Sequence, residues 1–86
     1  MASYRIVVKK SVSKDLKKIP KKDVLRILEA IKLLAQDPRP PQSKKLSGQE
    51  RYRLRQGNYR ILYSIEDEQL VVQVVKVSNR RDVFRN

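Results

Sequence analysis

Residues 51–65 read RYRLRQGNYRILYSI, two alternating runs on either side of Gly57-Asn58. A two-residue loop with Gly first suits a type II′ turn, whose twist matches that of the strands it joins. That loop length fixes the pairing: Gln56 faces Tyr59, Arg55 faces Arg60, Leu54 faces Ile61 and Tyr52 faces Tyr63. The period of two then sorts the hairpin into faces. Tyr52, Leu54, Tyr59, Ile61 and Tyr63 share one, and Arg53, Arg55 and Arg60 share the other. A slip of one residue would mix the two sets, so the reading rests on the loop. Opposed like charges weaken a sheet, and Arg55 against Arg60 therefore needs a reason beyond stability.

Outward from the hairpin, residues 51–56, 59–66 and 69–77 read as strands, with Glu66-Asp67-Glu68 as the second turn. Upstream, YRIVV at 4–8 is a β-rich run ending in lysines. Ser11 or Ser13 can cap a short helix whose apolar positions Val12, Leu16 and Ile19 fall at helical spacing. Pro20 closes that helix and suits the start of the next. From about 21 to 36, Val24, Ile27, Leu28, Ile31, Leu34 and Ala35 form one apolar stripe, with Lys22, Arg26, Glu29 and Lys32 off it. Asp37-Pro38 stops this helix, and Pro40 and Pro41 stiffen an extended connection towards Lys44 and Lys45. The expected class is α+β: an N-terminal strand, a two-helix hairpin, then three antiparallel strands, in a single domain over 1–86.

Composition limits the chemistry. In 86 residues there are 21 Lys and Arg against 9 Asp and Glu, a net charge of +12, with 40% hydrophobic and 35% charged residues. Such a balance favours a polyanionic partner, RNA or DNA, or a strongly acidic protein. Cys and His are both absent. Disulfides, thiolate metal sites, a zinc centre of the usual ligands and a histidine general base are excluded with them; no metal and no cofactor is expected. The apolar run at the N-terminus is too short for a signal-peptide core or a membrane span, and no helix pairs a basic face with bulky exposed apolar groups. A soluble cytoplasmic protein without a membrane partner is the expectation.

Three guanidiniums on one sheet face make a phosphate clamp, since each is planar, permanently charged and able to donate in pairs to phosphate oxygens. The ordinary reading of a charge run is a solvated face. That reading suits Lys17, Lys18, Lys21 and Lys22 at the helix junction better, where they add general attraction for a polyanion.

The order YRIVV, helical hairpin, Pro-containing connection, KKLSG, YRLRQGNYRILYSI and VSNRRDVFR resembles the RelE/ParE superfamily of type II toxins over nearly the whole chain. The arginine-rich strand and NRRDVFR are similar to the RelE branch. The resemblance implies a twisted antiparallel sheet backed by two helices, ribosome-dependent cleavage of mRNA in the A site without metal, and neutralisation by a cognate antitoxin. It places Arg53, Arg55, Arg60 and Arg80 at the family's basic site positions, expected here to be catalytic; Arg51, Lys44, Lys45, Arg81 and Phe84 are the further candidates for RNA contact. Many relatives read Gly-His-Arg-Arg-Glu-Val-Tyr where this chain has Ser78-Asn79-Arg80-Arg81-Asp82-Val83-Phe84, and carry lysine on the strand where it has arginine. Arginine does not give up its proton in proteins. The implied mechanism is therefore attack by the RNA's own 2′-OH, with arginines stabilising charge on the phosphate and Phe84 stacking on a base. A ParE-like inhibitor of DNA gyrase and a non-catalytic RNA- or ribosome-binding scaffold are the alternatives.

Overall fold

The computed structural model describes residues 3–48 and 50–79. Strand β1 (Arg5–Val8) leads into helices α1 (Lys10–Lys17) and α2 (Lys21–Leu33), followed by β2 (Ser43–Lys45), β3 (Tyr52–Gln56), β4 (Tyr59–Glu66) and β5 (Val71–Asn79). Neither Ser11 nor Ser13 caps α1. Lys9 occupies that position with extended dihedrals and no side-chain bond. Its N–H donates to the Val74 carbonyl at 3.0 Å, which keeps Lys9 tied to the sheet and starts the helix at the next residue, placing both serines inside it.

Pro20 precedes α2 and accepts from the N–H groups of Asp23 and Val24 at 2.9 and 3.0 Å. The helix ends at Leu33, short of 36, because the next turn tightens: Leu34, Ala35 and Gln36 each donate to the carbonyl three residues back at 3.0–3.1 Å. This tighter winding is a common way to close a helix, and Asp37-Pro38 follows it.

The sheet has the order β1-β5-β4-β3-β2. The β3–β4 register is the one the loop dictates, from Gln56↔Tyr59 through Arg55↔Arg60 to Tyr52↔Tyr63. Gly57 has φ +60°, and Asn58 is not among the positive-φ residues, as a II′ turn requires. Two features go beyond the sequence reading. A further strand, β2, pairs antiparallel with β3 through Ser43↔Leu54, Lys44↔Arg53 and Lys45↔Tyr52. Strand β1 pairs parallel with β5, so the sheet is mixed and β5 lies inside it. The second turn falls at 67–70, later than expected, and β5 runs on to Asn79.

Both helices cover one face, and the core between consists of Val12, Ile27, Ile31, Leu34, Leu54, Ile61, Tyr63, Val72, Val74 and Val77. Leu28, expected in the α2 stripe, is instead 44% exposed. It sits one residue round from Ile27, at the rim of the apolar arc, and Ala30 packs against the core in its stead. Tyr63 is fully buried and its hydroxyl donates to the Pro38 carbonyl at 2.7 Å. Burial pushes that hydroxyl above its ordinary pKa.

A polar web ties the far end of the sheet. Arg39 donates twice to Asp67, at 2.9 and 3.1 Å, and through Nε to the Tyr52 hydroxyl at 3.0 Å. Its guanidinium carbon lies 5.3 Å from the centre of the Tyr52 ring, which stacks on Tyr63 at 5.8 Å. The Tyr4 hydroxyl donates to Asp67 at 2.7 Å. The bonds from Arg39, then that from Tyr4, hold the Asp67 carboxyl below the usual carboxylate range.

Candidate nucleic-acid interface

The sheet face away from the helices follows from registers alone. Leu54, Ile61, Tyr63, Val72, Val74 and Val77 are buried against the helices, so their strand neighbours point outward. One cross-strand row is then Lys44, Arg53, Leu62 and Lys76, and the next is Arg55, Arg60 and Ser78. The acid on this face among the described strand residues is Glu66, two rows beyond Leu62 and level with Arg5 and Val71. That is roughly 13 Å along the strand, and the two rows themselves carry no negative charge.

None of Lys44, Arg53, Arg55, Arg60 or Lys76 forms an ion pair or side-chain hydrogen bond among the described residues, where the ion pairs are Arg39–Asp67 and Lys45–Glu50. Arg55 and Lys44 are exposed, whereas Arg53 and Arg60 are half-buried rather than solvated. The Nε atoms of Arg53 and Arg60 are buried without a hydrogen-bond partner among the described residues. A buried donor on a charged group left unpaired costs more than a neutral one. Packing of the two stems fixes where the guanidiniums stand, and only their outer ends, not the buried Nε atoms, can meet an incoming acceptor.

The remaining sequence-predicted residues fall elsewhere. Lys45 pairs with Tyr52 on the helix-side face and lies 3.8 Å from Glu50, so the structure does not bring it to the clamp. Arg51 is exposed at the rim just before β3, its carbonyl accepting the Leu46 N–H at 2.8 Å. Arg80, Arg81 and Phe84 lie outside the described residues. Sequence reasoning missed Lys76. VVQVVKVSN fits either strand phase, and only the structure shows that the inward positions Val72 and Val74 are out of phase with Val77.

The clamp is not concave. A groove of about 390 Å³ runs between α2 and β3, lined by Ala30, Leu33, Leu34, Pro40 and Leu54 among others, and none of the outer-face cations lines it. Small molecules are usually enclosed in such pockets. An open face of donors suits instead a phosphate backbone laid across the strands.

Comparison with known proteins agrees with this architecture. Residues 6–84 match the family described as ParE toxin of type II toxin-antitoxin system, parDE. Toxin RelG of Mycobacterium tuberculosis is 30% identical over 95% of this chain and 97% of its own length. Among solved structures, the archaeal RelE-RelB complex of Pyrococcus horikoshii superposes with a TM-score of 0.82 at 33% identity, covering 91% of this chain and 96% of the other. The toxin-antitoxin complex RelBE2 of M. tuberculosis gives 0.83 at 28%, covering 93% and 94%. The chain belongs to the RelE/ParE superfamily of type II toxins.

Proposed function

We propose that this toxin is a ribosome-dependent mRNA endoribonuclease that works without a metal. The 2′-oxygen of one nucleotide attacks the adjacent phosphorus, the P–O5′ bond breaks, and a cyclic phosphate and a free 5′-hydroxyl result. Arg53, Arg55 and Arg60 bind and polarise the scissile phosphate; Arg80 braces the leaving oxygen and Phe84 stacks on a neighbouring base. Lys44, Arg51 and Arg81 hold flanking phosphates. With no histidine in the chain, proton transfer falls to water or the ribosome, and the protein's contribution is electrostatic. The supporting observation is the pair of acid-free rows that set Arg53, Arg55 and Arg60 on one sheet face without an ion pair among the described residues.

The test is single-turnover cleavage of labelled message on programmed ribosomes. Arg53→Ala and Arg60→Ala each lower the rate on the order of 10²-fold, the effect of removing one donor aimed at transition-state charge. Full activity in both rejects the mechanism. The ParE name of the matching family favours a second reading, inhibition of DNA gyrase by protein contact. A supercoiling assay with purified gyrase and plasmid separates the two.

A cognate antitoxin belongs to the same proposal, since the solved relatives include toxins crystallised with RelB partners. An acidic and apolar segment of that partner covers the cationic face. Hydrogen exchange with and without antitoxin then shows protection across β3 and β4; protection confined to the outer side of α2 contradicts it.

A further inference from the structure

The β4–β5 ladder slips by one residue: Leu62 pairs with Lys76, but Tyr63 pairs with Val74, leaving Val75 as the extra residue of a bulge. Bulges re-aim side chains. Upstream of it Val72 and Val74 face the core; downstream Val77 does, and Lys76 and Ser78 face out. In an unbroken strand Lys76 would continue the Val72–Val74 phase and point its ammonium into the core, at large cost. The bulge delivers it to the cationic face instead.

There Lys76 completes the row Lys44–Arg53–Leu62–Lys76, which crosses four strands over roughly 14 Å. It stands diagonal to Arg60, about 7–8 Å away between backbones, within reach of the same or the next phosphate for two long side chains. It is exposed, and its side chain has no ion pair or hydrogen bond among the described residues. Leu62, half-buried between Arg53 and Lys76, gives the row an apolar floor for a sugar or base.

We infer that Lys76 is an RNA-positioning residue: it holds a phosphate of the message on the β5 side of the Arg55–Arg60 pair. This rests on the nuclease reading above. A lysine ammonium is a mobile point charge without the fork of a guanidinium, so it fixes where the strand lies while the arginines act on the scissile phosphate. Its loss therefore weakens binding and spares the chemical step.

The experiment follows single-turnover cleavage of labelled message on programmed ribosomes as a function of toxin concentration, for wild type, Lys76→Ala, Lys76→Arg and Lys32→Ala. Lys32 is exposed on α2, on the helix side of the sheet. Lys76→Ala raises the half-saturating concentration roughly threefold to tenfold and leaves the maximal rate within about twofold; the deficit shrinks as salt rises, because one counterion fewer is released. Lys76→Arg restores wild-type behaviour and Lys32→Ala does not depart from it. An unchanged half-saturation in Lys76→Ala, or a loss confined to the maximal rate, overturns the assignment while the nuclease reading stands. Absence of cleavage by wild type overturns both.

Discussion

Arg55 stands directly across from Arg60 in the β3–β4 ladder, one pair in from the Gly57-Asn58 turn. In a two-residue hairpin the pair beside the loop exchanges both backbone hydrogen bonds, and the next pair is of the non-bonded type, with Cα atoms about 4.5 Å apart. The two side chains thus leave the sheet where cross-strand neighbours are closest, and neither forms an ion pair among the described residues. Arg55 is exposed, and removing it costs little packing. Arg55→Ala is expected to leave stability within about 0.5 kcal/mol, on the stabilising side at low salt, with the gain gone in molar salt where screening is nearly complete. The same variant loses cleavage on the order of 10²-fold. Thermal melts at two salt concentrations beside the ribosome assay check both halves; destabilisation at low salt would show that the pair does not repel.

Arg60→Lys separates charge from geometry. The ammonium keeps the positive charge but not the paired donors, and the half-buried stem of residue 60 is largely retained. Cleavage is expected between that of wild type and Arg60→Ala, with a Tm close to wild type. A rate equal to wild type would mean that charge alone is used at this position.

Tyr63→Phe acts on the opposite face. It strips the Pro38 carbonyl of its donor, and a buried acceptor left bare costs about 1–3 kcal/mol. Because burial raises the Tyr63 pKa, the folded protein holds that proton more tightly than the unfolded chain. The tyrosine's contribution is complete below about pH 10 and is lost as pH rises through the raised value. Urea titrations of the two proteins across the alkaline range should converge; parallel curves would count against the burial argument.

Asp67→Asn removes the charge that Arg39 and Tyr4 share. The Asp67 pKa is depressed in the fold, so its stabilisation is present above the ordinary carboxylate value of about 3.9 and disappears as pH falls through the lowered one. The variant is expected to melt earlier than wild type at neutral pH, and the gap to close in acid. A gap that persists in strong acid would assign the loss to packing.

What the sequence made legible were local relations. Gly57-Asn58 set a register that put Arg53, Arg55 and Arg60 on one face and Tyr52, Leu54, Ile61 and Tyr63 on the other, and the structure keeps every pair. Strand β2 was missed because Ser-Lys-Lys has no apolar alternation; it is a strand only because β3 offers an edge. The parallel pairing of β1 joins residues far apart in the chain, and no local spacing encodes it. The bulge at Val75 was hidden for a related reason. VVQVVKV fits either phase of a strand, and the core packed under β5 chooses between them, with Asp15 of α1 accepting the Val77 N–H at 3.2 Å. The Arg39–Asp67 web likewise depends on two loops meeting.

The sheet order has a consequence for synthesis. Among the described residues the first strand has one neighbour, β5, and β5 is the last strand described. While the chain emerges from N- to C-terminus, Arg5–Val8 has nothing to pair with until Val71–Val74 has been made, and the core lacks Val72, Val74 and Val77 until the same moment. Contacts so distant in sequence form late and slowly. A nascent chain interrupted before β5 is left with an open β4 edge and uncovered helices, a substrate for proteases and chaperones. The cationic face is in the same position, since its β5 row end arrives last. A chain that stops short of β5 therefore lacks the β1 pairing, three core valines and the β5 end of the cationic rows together.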